Sequence, residues 1–405
     1  MKILFYGLNF KPEKVGIGKY SGEMIEWLSN KGHEIKVITS NPYFPEWETT
    51  KNYYSKEYDN NIEIIRCPIW VPKRPTTIRR IIHLISFSIS SFPILISKIF
   101  WSPEIIINVV PSLFSTINTI ILSKLSKRKI KKLIHIQDFE LDAAYRLGFF
   151  KNKKIKLAAE KIEGLILKNF DKVSTISKEM LKKCREKGVN EKQLFYFPNW
   201  VDLNEIKPEK HNDREKNFFR KKLNISKEKI VILYAGSMNK KQDLNLIISS
   251  INLLKNEKNL FWLFVGEGPT KNLLIKNVNK EKNVKILPLQ NKNYMNSLLN
   301  CGDIHIVPQV KGADTVLLPS KLLPIIASGK ASIITSPENS ELGNIAAKIG
   351  IRVDPGDVKN FCGAIKKLSK DYKLRESMGL QARELSFNYQ KEYILKEFHD
   401  LLIAT

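Results

Sequence analysis

Two apolar runs constrain the fold more than any other feature of the chain: Lys2–Gly7 (KILFYG) and Ile230–Gly236 (IVILYAG). Neither alternates apolar with polar residues, so both faces are expected to be buried, as in a parallel strand covered by helices. Each run ends in glycine and passes through a polar loop into a segment of helical period. Strand-like runs follow the first at Ile35–Thr39, Ile62–Arg66, Ile105–Val109, Leu133–Ile136 and Val173–Ile176. They follow the second at Leu260–Val265, Val284–Leu287, Asp303–Pro308 and Ala331–Thr335. A chain of 405 residues that begins the same grammar twice is expected to be α/β, with two Rossmann-like doubly wound domains and an interdomain cleft. The connector Phe197–Asp202 (FPNWVD) and the polar run Lys207–Lys222 set the boundaries at 1–200 and 201–385. A last helical segment, 386–405, would cross back to the first domain.

Charge narrows the partners. The net charge is +26, and residues 1–200 carry 34 Lys/Arg against 19 Asp/Glu, so the first half is the more basic. Such a field favours nucleic acid, phosphorylated metabolites or anionic lipid. No zinc finger, arginine-rich tail or aromatic-interleaved basic strand points to specific nucleic-acid binding. The four cysteines are scattered without metal or disulfide spacing, which fits a reducing, cytoplasmic setting. The stretch Lys73–Trp101 is apolar enough to suggest a membrane span, but His83, several serines, Pro93 and Lys98 interrupt it. One or two amphipathic helices are expected instead, whose basic, apolar surface would dock peripherally on the inner face of the plasma membrane.

Three places in the sequence invite a ligand. Lys311–Lys330 (KGADTVLLPSKLLPIIASGK) runs from one strand to the next through a polar loop, and Pro319-Ser320 reads as a helix start. Unpaired amides there, with the charge of Lys321 beside them, form an anion cradle. Gly16 and Gly18 lie at the start of a helix, where they would let backbone approach a phosphate or sugar closely. They do not complete a dinucleotide fingerprint or a Walker A loop. Asp138 follows the strand Leu133–Ile136, at the strand end where such folds hold ligands.

In order and spacing these segments resemble the retaining glycosyltransferases of the two-Rossmann-domain (GT-B) type, family 4. The match is narrower to the branch that builds colanic acid, capsule and O-antigen. The residues carrying it are GIGKY, WVPKRP, HIQDFELDAA, FPNWVD, YAGSMNKKQDL, FVGEGP, LLPSKLLPIIASGK and SELG. The resemblance implies that Gly16 and Gly18 close over a donor diphosphate gripped by Gly236, Ser237, Lys240 and Lys241. It further implies that Gly266 and Gly268 shape the nucleotide cleft and Leu289 lies near the base. Ser320 and Lys321 match the turn at the diphosphate, Glu341 the acid on the ribose, and Asp138 the polar group facing sugar and acceptor. Two departures stand out. Ser237 replaces the family's arginine, and the family's pair of glutamates falls on Val316 and Pro324. Gln309 or Asp314 would then take over the donor-sugar contacts.

The implied activity moves a sugar, with retention, from a UDP or GDP sugar to a lipid-linked glycan. Asp138, Lys241 and Lys321 are the candidate catalytic groups, with no cofactor, since no Asp-x-Asp or His/Asp cluster offers a metal site. The alternatives are a catalytically degenerate, transferase-like binding subunit and a nucleotide-sugar epimerase or dehydrogenase. The latter lacks a glycine fingerprint and a convincing Tyr-x-x-x-Lys spacing.

Overall fold

The computed structural model describes residues 1–13, 16–73, 76–139, 153–209, 217–278, 281–311 and 319–404. The chain divides into two compact units, Met1–Pro198 with Leu395–Thr405, and Asn199–Ile394.

Unit 1 is built on an eight-stranded sheet in the order β3-β4-β2-β1-β5-β6-β7-β8. The strands are β1 (Lys2–Gly7), β2 (Glu34–Ser40), β3 (Ser55–Asp59), β4 (Ile62–Cys67), β5 (Ile105–Val110), β6 (Lys131–Ile136), β7 (Lys172–Thr175) and β8 (Leu194–Tyr196). All pairs are parallel except β3 with β4. The central strands β1 and β5 are buried from end to end or nearly so, as their unbroken apolar runs require. The winding reverses between β1 and β5, the position where α/β sheets leave a ligand crevice at their carboxyl ends. The apolar stretch after Thr76 forms one helix, Thr77–Ser97, with Pro93 inside it. Its inner face joins a core with Leu4, Tyr6, Ile38 and Ile106. The last helix, Lys391–Ala404, stacks Phe398 on Phe197 (centroids 4.1 Å apart) and sets His399 against His33.

Unit 2 has a six-stranded parallel sheet, β11-β10-β9-β12-β13-β14. Its strands are β9 (Ile230–Ala235), β10 (Leu260–Val265), β11 (Val284–Leu287), β12 (Ile304–Val307), β13 (Ala331–Thr335) and β14 (Gly350–Val353). One core lies under the helices Leu244–Leu253, Lys271–Val278 and Val358–Lys370, around Trp262, Tyr234 and Phe361. Here the winding reverses between β9 and β12. That ladder holds only two residue pairs, Ile232 with Ile304 and Leu233 with His305, against six between β9 and β10. Beyond Leu233 the two strands part, and their carboxyl ends are free to face a ligand.

The helix foreseen at Pro319-Ser320 begins later. It spans Leu322–Ala327, with Lys321 in helical conformation at its cap and Ser320 in an exposed turn. Pro319 C=O accepts from Leu322 N–H (2.8 Å), closing a turn ahead of the helix. The Leu322 amide is thus used within the turn, and the Lys321 side chain stands at the same helix start.

Candidate active site

The unit-2 site is assembled where β9 and β12 separate. Gly236 follows β9 with φ +147°, and Gly266 and Gly268 follow β10 with φ +153° and +149°, a backbone that side chains resist. A Cβ on Gly266 would lie 1.9 Å from the Gly236 carbonyl oxygen, and one on Gly268 2.2 Å from that of Met238. The two loops are zipped past the ends of their strands: Gly236 N–H donates to Val265 C=O (2.9 Å), Met238 N–H to Glu267 C=O (2.8 Å) and Thr270 N–H to Met238 C=O (3.1 Å). Glycine is thus demanded by approach of backbone to backbone.

Lys321 reaches over this floor. A Cβ on Gly236 would meet its Cδ at 3.2 Å, so the missing side chain is the channel through which the lysine passes. Its Nζ lies 4.4 Å from the centroid of the Tyr234 ring and donates to Gln242 Oε1. Tyr234 is held in turn by its hydroxyl, which donates to Ser237 C=O (2.6 Å). Among the described residues no carboxylate pairs with Lys321, and burial pulls its ammonium from 10.5 down to about 7. A half-buried lysine satisfied by an amide and a ring, and among the described residues without a counter-ion, is a group poised for an anion.

The neighbouring loops converge on the same strand ends. Asn239 Oδ1 accepts from Lys241 N–H (2.9 Å), and Lys241 C=O accepts from Val310 N–H (3.1 Å), tying the lysine loop to the segment after β12. Gln309 in that segment is buried, with its N–H donating to Thr335 Oγ1 and its C=O accepting from the same hydroxyl. Among the described residues its Oε1 finds no partner, nor does the buried Ser336 Oγ after β13. Glu341 opens the helix Glu341–Ile349, whose cap Ser340 accepts from Gly343 N–H (2.9 Å). Ser237, Lys240, Lys241 and Ser320 are exposed, and Leu289 is half-exposed two residues beyond the Leu287 carbonyl that Gly266 N–H binds. Asp314 lies outside the described residues.

In unit 1, Gly16 and Gly18 occupy the first turn of the helix Gly16–Asn30, Gly16 with φ +63°. A Cβ on Gly18 would sit 2.6 Å from the Glu13 carboxylate, which is buried and has its pKa raised by that burial. Glu13 accepts from Asn9 Nδ2 (3.0 Å) and from the backbone amides of Tyr43 (3.3 Å) and Phe44 (3.1 Å). One carboxylate thus pins the glycine loop to the loop after β2.

Asp138 is half-buried just past β6, between buried Gln137 and buried Phe139. The Phe139 ring faces Lys187 Nζ at 5.4 Å, and Lys187 makes a buried ion pair with Glu163 (2.6 Å). On the other side, Ser174 Oγ donates to Ile134 C=O (3.2 Å), so it accepts from His135 Nδ1–H (3.0 Å). His135 Nε2 is left to accept from Gln137 Nε2 (2.9 Å). Burial lowers the His135 pKa to about 3, so this neutral tautomer is fixed throughout the working pH range. Sequence reasoning missed Gln242, Tyr234, Glu13 and His135. Each works through a contact between segments that no local spacing encodes.

Two families divide the chain between them: "Glycosyl transferase 4-like domain" matches residues 15–200 and "Glycosyl transferases group 1" residues 215–385. The "Putative colanic acid biosynthesis glycosyl transferase WcaI" of Escherichia coli (strain K12) is 38% identical, covering 98% of each chain. The chain belongs to the GT4-like, group 1 glycosyltransferases. Solved structures share the fold at low identity. Sucrose-phosphate synthase from Thermosynechococcus elongatus matches with TM-score 0.75 and 15% identity, over 100% of both chains. Anabaena HepE, solved in complex with UDP-glucose, matches with TM-score 0.67 and 13% identity, also over 100% of both. The glycosyltransferase therefore has two Rossmann-like domains of the GT-B kind. Gly236, Gly266 and Lys321 fall within the group 1 match, and Gly16, Gly18 and Asp138 within the 4-like match.

Proposed function

We propose that this glycosyltransferase moves a sugar, with retention at the anomeric carbon, from a nucleoside-diphosphate sugar to a lipid-linked oligosaccharide of a bacterial surface polysaccharide. The observation that carries the reading is Lys321, half-buried and, among the described residues, without a carboxylate partner, over the glycine loops that end parallel strands. As the glycosidic bond breaks, negative charge grows on the leaving diphosphate. An ammonium already in place stabilises it without reorganisation. Lys321 takes the β-phosphate side, Lys241 lies over the same diphosphate, and Gly236, Ser237 and Lys240 line it. Gly266, Gly268 and Leu289 hold the nucleoside, Glu341 the ribose, and Gln309 a sugar hydroxyl with its unpartnered Oε1. The two lysines supply the charge that a metal would otherwise bring.

Asp138, set by the Phe139 anchor and the His135–Gln137 bond, orients the acceptor hydroxyl and takes up its proton. Gly16 and Gly18 close over the diphosphate. The colanic-acid name of the E. coli relative supports the polysaccharide assignment, and the UDP-glucose bound to HepE makes UDP sugars the first donors to screen, ahead of GDP sugars. The experiment is a thermal-shift screen of UDP, GDP and their sugars, followed by transfer assays with the hits. Stabilisation and transfer that both vanish in Lys321→Met support the proposal. Stabilisation without transfer to any lipid-linked acceptor would mark a binding subunit, and no stabilisation by any nucleotide would end the donor reading.

A further inference from the structure

The helix that begins at Lys321 is too short to hold itself. Leu322–Ala327 has six residues, fewer than two turns, and Pro324 inside it brings no N–H to the ladder. Its direction is therefore set by what grips it. Leu322, Leu323, Ile325 and Ile326 sink into a core shared with Leu203 and Ile206, in the segment by which the chain enters unit 2. At the carboxyl end the grip is polar. Arg383, on the helix Tyr372–Ser386, donates through Nη1 to Ala327 C=O (2.7 Å) and Ile206 C=O (2.9 Å), and through Nη2 to Leu203 C=O (3.5 Å). A planar fork of fixed donors can serve three carbonyls at once, which a point-like ammonium cannot.

The joint is tight as well as bonded. Gly329, just past the helix, has φ +63°, and a Cβ there would lie 2.9 Å from Pro208 Cγ. A Cβ on Gly379, one turn ahead of Arg383, would lie 2.2 Å from the Gly329 carbonyl oxygen. The entering segment is itself locked, with Val201 N–H donating to Tyr389 C=O (2.9 Å) and Lys391 N–H to Val201 C=O (3.0 Å). At the amino end, the stem of Lys321 is confined to the gap over Gly236, so a shift of the helix is passed on to Nζ. Six helical residues span about 9 Å, and a tilt of about 10° at the carboxyl end carries the amino end roughly 1.5 Å. Displacements of about that size are costly where a charge acts by its position.

We infer that Arg383 is a positioning residue of the donor site: by tying the carboxyl end of the Lys321 helix to Leu203 and Ile206, it sets where the Lys321 ammonium stands to meet a diphosphate. The inference rests on the diphosphate reading of Lys321 and deepens it, because affinity for the donor is then governed from both ends of one short helix. Arg383 acts through Lys321, and its influence ends where Lys321 is removed.

The test is a double-mutant cycle. Affinity for UDP, and for GDP where UDP does not bind, is measured by calorimetric titration in the parent, Arg383→Met, Lys321→Met and the double variant. Weak binding is read from the rise of Tm with nucleotide concentration. Arg383→Met should weaken binding about tenfold in the parent background and less than about twofold once Lys321 is gone. Arg383→Lys, which keeps the charge and one donor, should recover part of the loss, and it takes the place of Arg383→Met in the cycle if that variant does not fold. An equal loss in both backgrounds would make Arg383 a structural cap and overturn the inference, as would unchanged affinity in the Arg383 variants. A parent that binds neither nucleotide, or binds as well without Lys321, would instead end the donor reading on which the inference rests.

Discussion

Lys321→Met is predicted to make the empty protein more stable and the liganded protein weaker. In the folded state the ammonium titrates near 7 rather than 10.5, so the unfolded chain holds the extra proton between those values. Stability therefore rises with pH from about 7 to about 10.5, and the lysine's penalty is greatest below 7. The shift sets that penalty at no more than about 5 kcal/mol. A group that titrates near 7 in the fold carries that penalty net of its contacts, so with the Gln242 hydrogen bond and the Tyr234 ring in place the cost below pH 7 is roughly 3–5 kcal/mol. Methionine fills a similar channel over Gly236 with no charge to desolvate. Chemical denaturation of the ligand-free variant at pH 6.5 should thus show a gain of about that size, shrinking to nothing near pH 10. Calorimetric titration with the best nucleoside diphosphate should show the opposite, a loss of about 2–4 kcal/mol, since one charge-assisted contact to phosphate is gone. A variant that loses stability when empty and binds the nucleotide as well as the parent would refute the assignment of Lys321.

The same geometry makes further predictions. Gly266→Ala places a Cβ 1.9 Å from the Gly236 carbonyl oxygen, so denaturant midpoints should fall by about 3 kcal/mol or more, with nucleotide binding lost in whatever remains folded. Glu13→Gln turns an amide toward Asn9 Nδ2 or toward the Tyr43 and Phe44 amides, leaving a buried donor unmatched. Unfolding at neutral pH should register a cost of about 1–3 kcal/mol. His135→Phe removes the acceptor that holds Gln137, so kcat for transfer should drop while nucleotide affinity stays constant. Because His135 is held near 3 and His305 near 4, the unfolded chain takes up protons below 6.5 that the fold refuses. Tm should fall as pH drops from 6.5 toward 4, and His135→Phe should flatten part of that slope.

Strands that are buried on both faces were the most legible part of the sequence. KILFYG and LFWLFV allow no other reading once glycine, polar loop and helix follow them, and IIINVV runs through Pro111-Ser112 into its helix. What escaped obeys a different pattern. β3 (SKEYD) is a polar, largely exposed edge strand, recognisable only from its antiparallel pairing with β4. The helix Leu113–Leu125 buries Ser115, Thr116, Asn118 and Thr119, so its inner face is polar and its apolar period is blurred. The glycines and Lys321 were visible because strand ends announce them. The partners that give Lys321 its character, Tyr234 and Gln242, lie about 80 residues away in sequence and meet it only through the winding of the sheet. The helix start misplaced at Ser320 has the same origin, since the sequence marks a turn there but not how its first carbonyl is used.

The central claim is that Lys321 is the anion-binding group of the donor site. Calorimetric titration of a nucleoside diphosphate at pH 8, in two buffers of different ionisation enthalpy, tests it most directly. An ammonium that titrates near 7 in the empty site must be recharged when a diphosphate arrives. The account predicts uptake of close to one proton per ligand bound, absent in Lys321→Met. Binding with no proton uptake, identical in the parent and the variant, would contradict it.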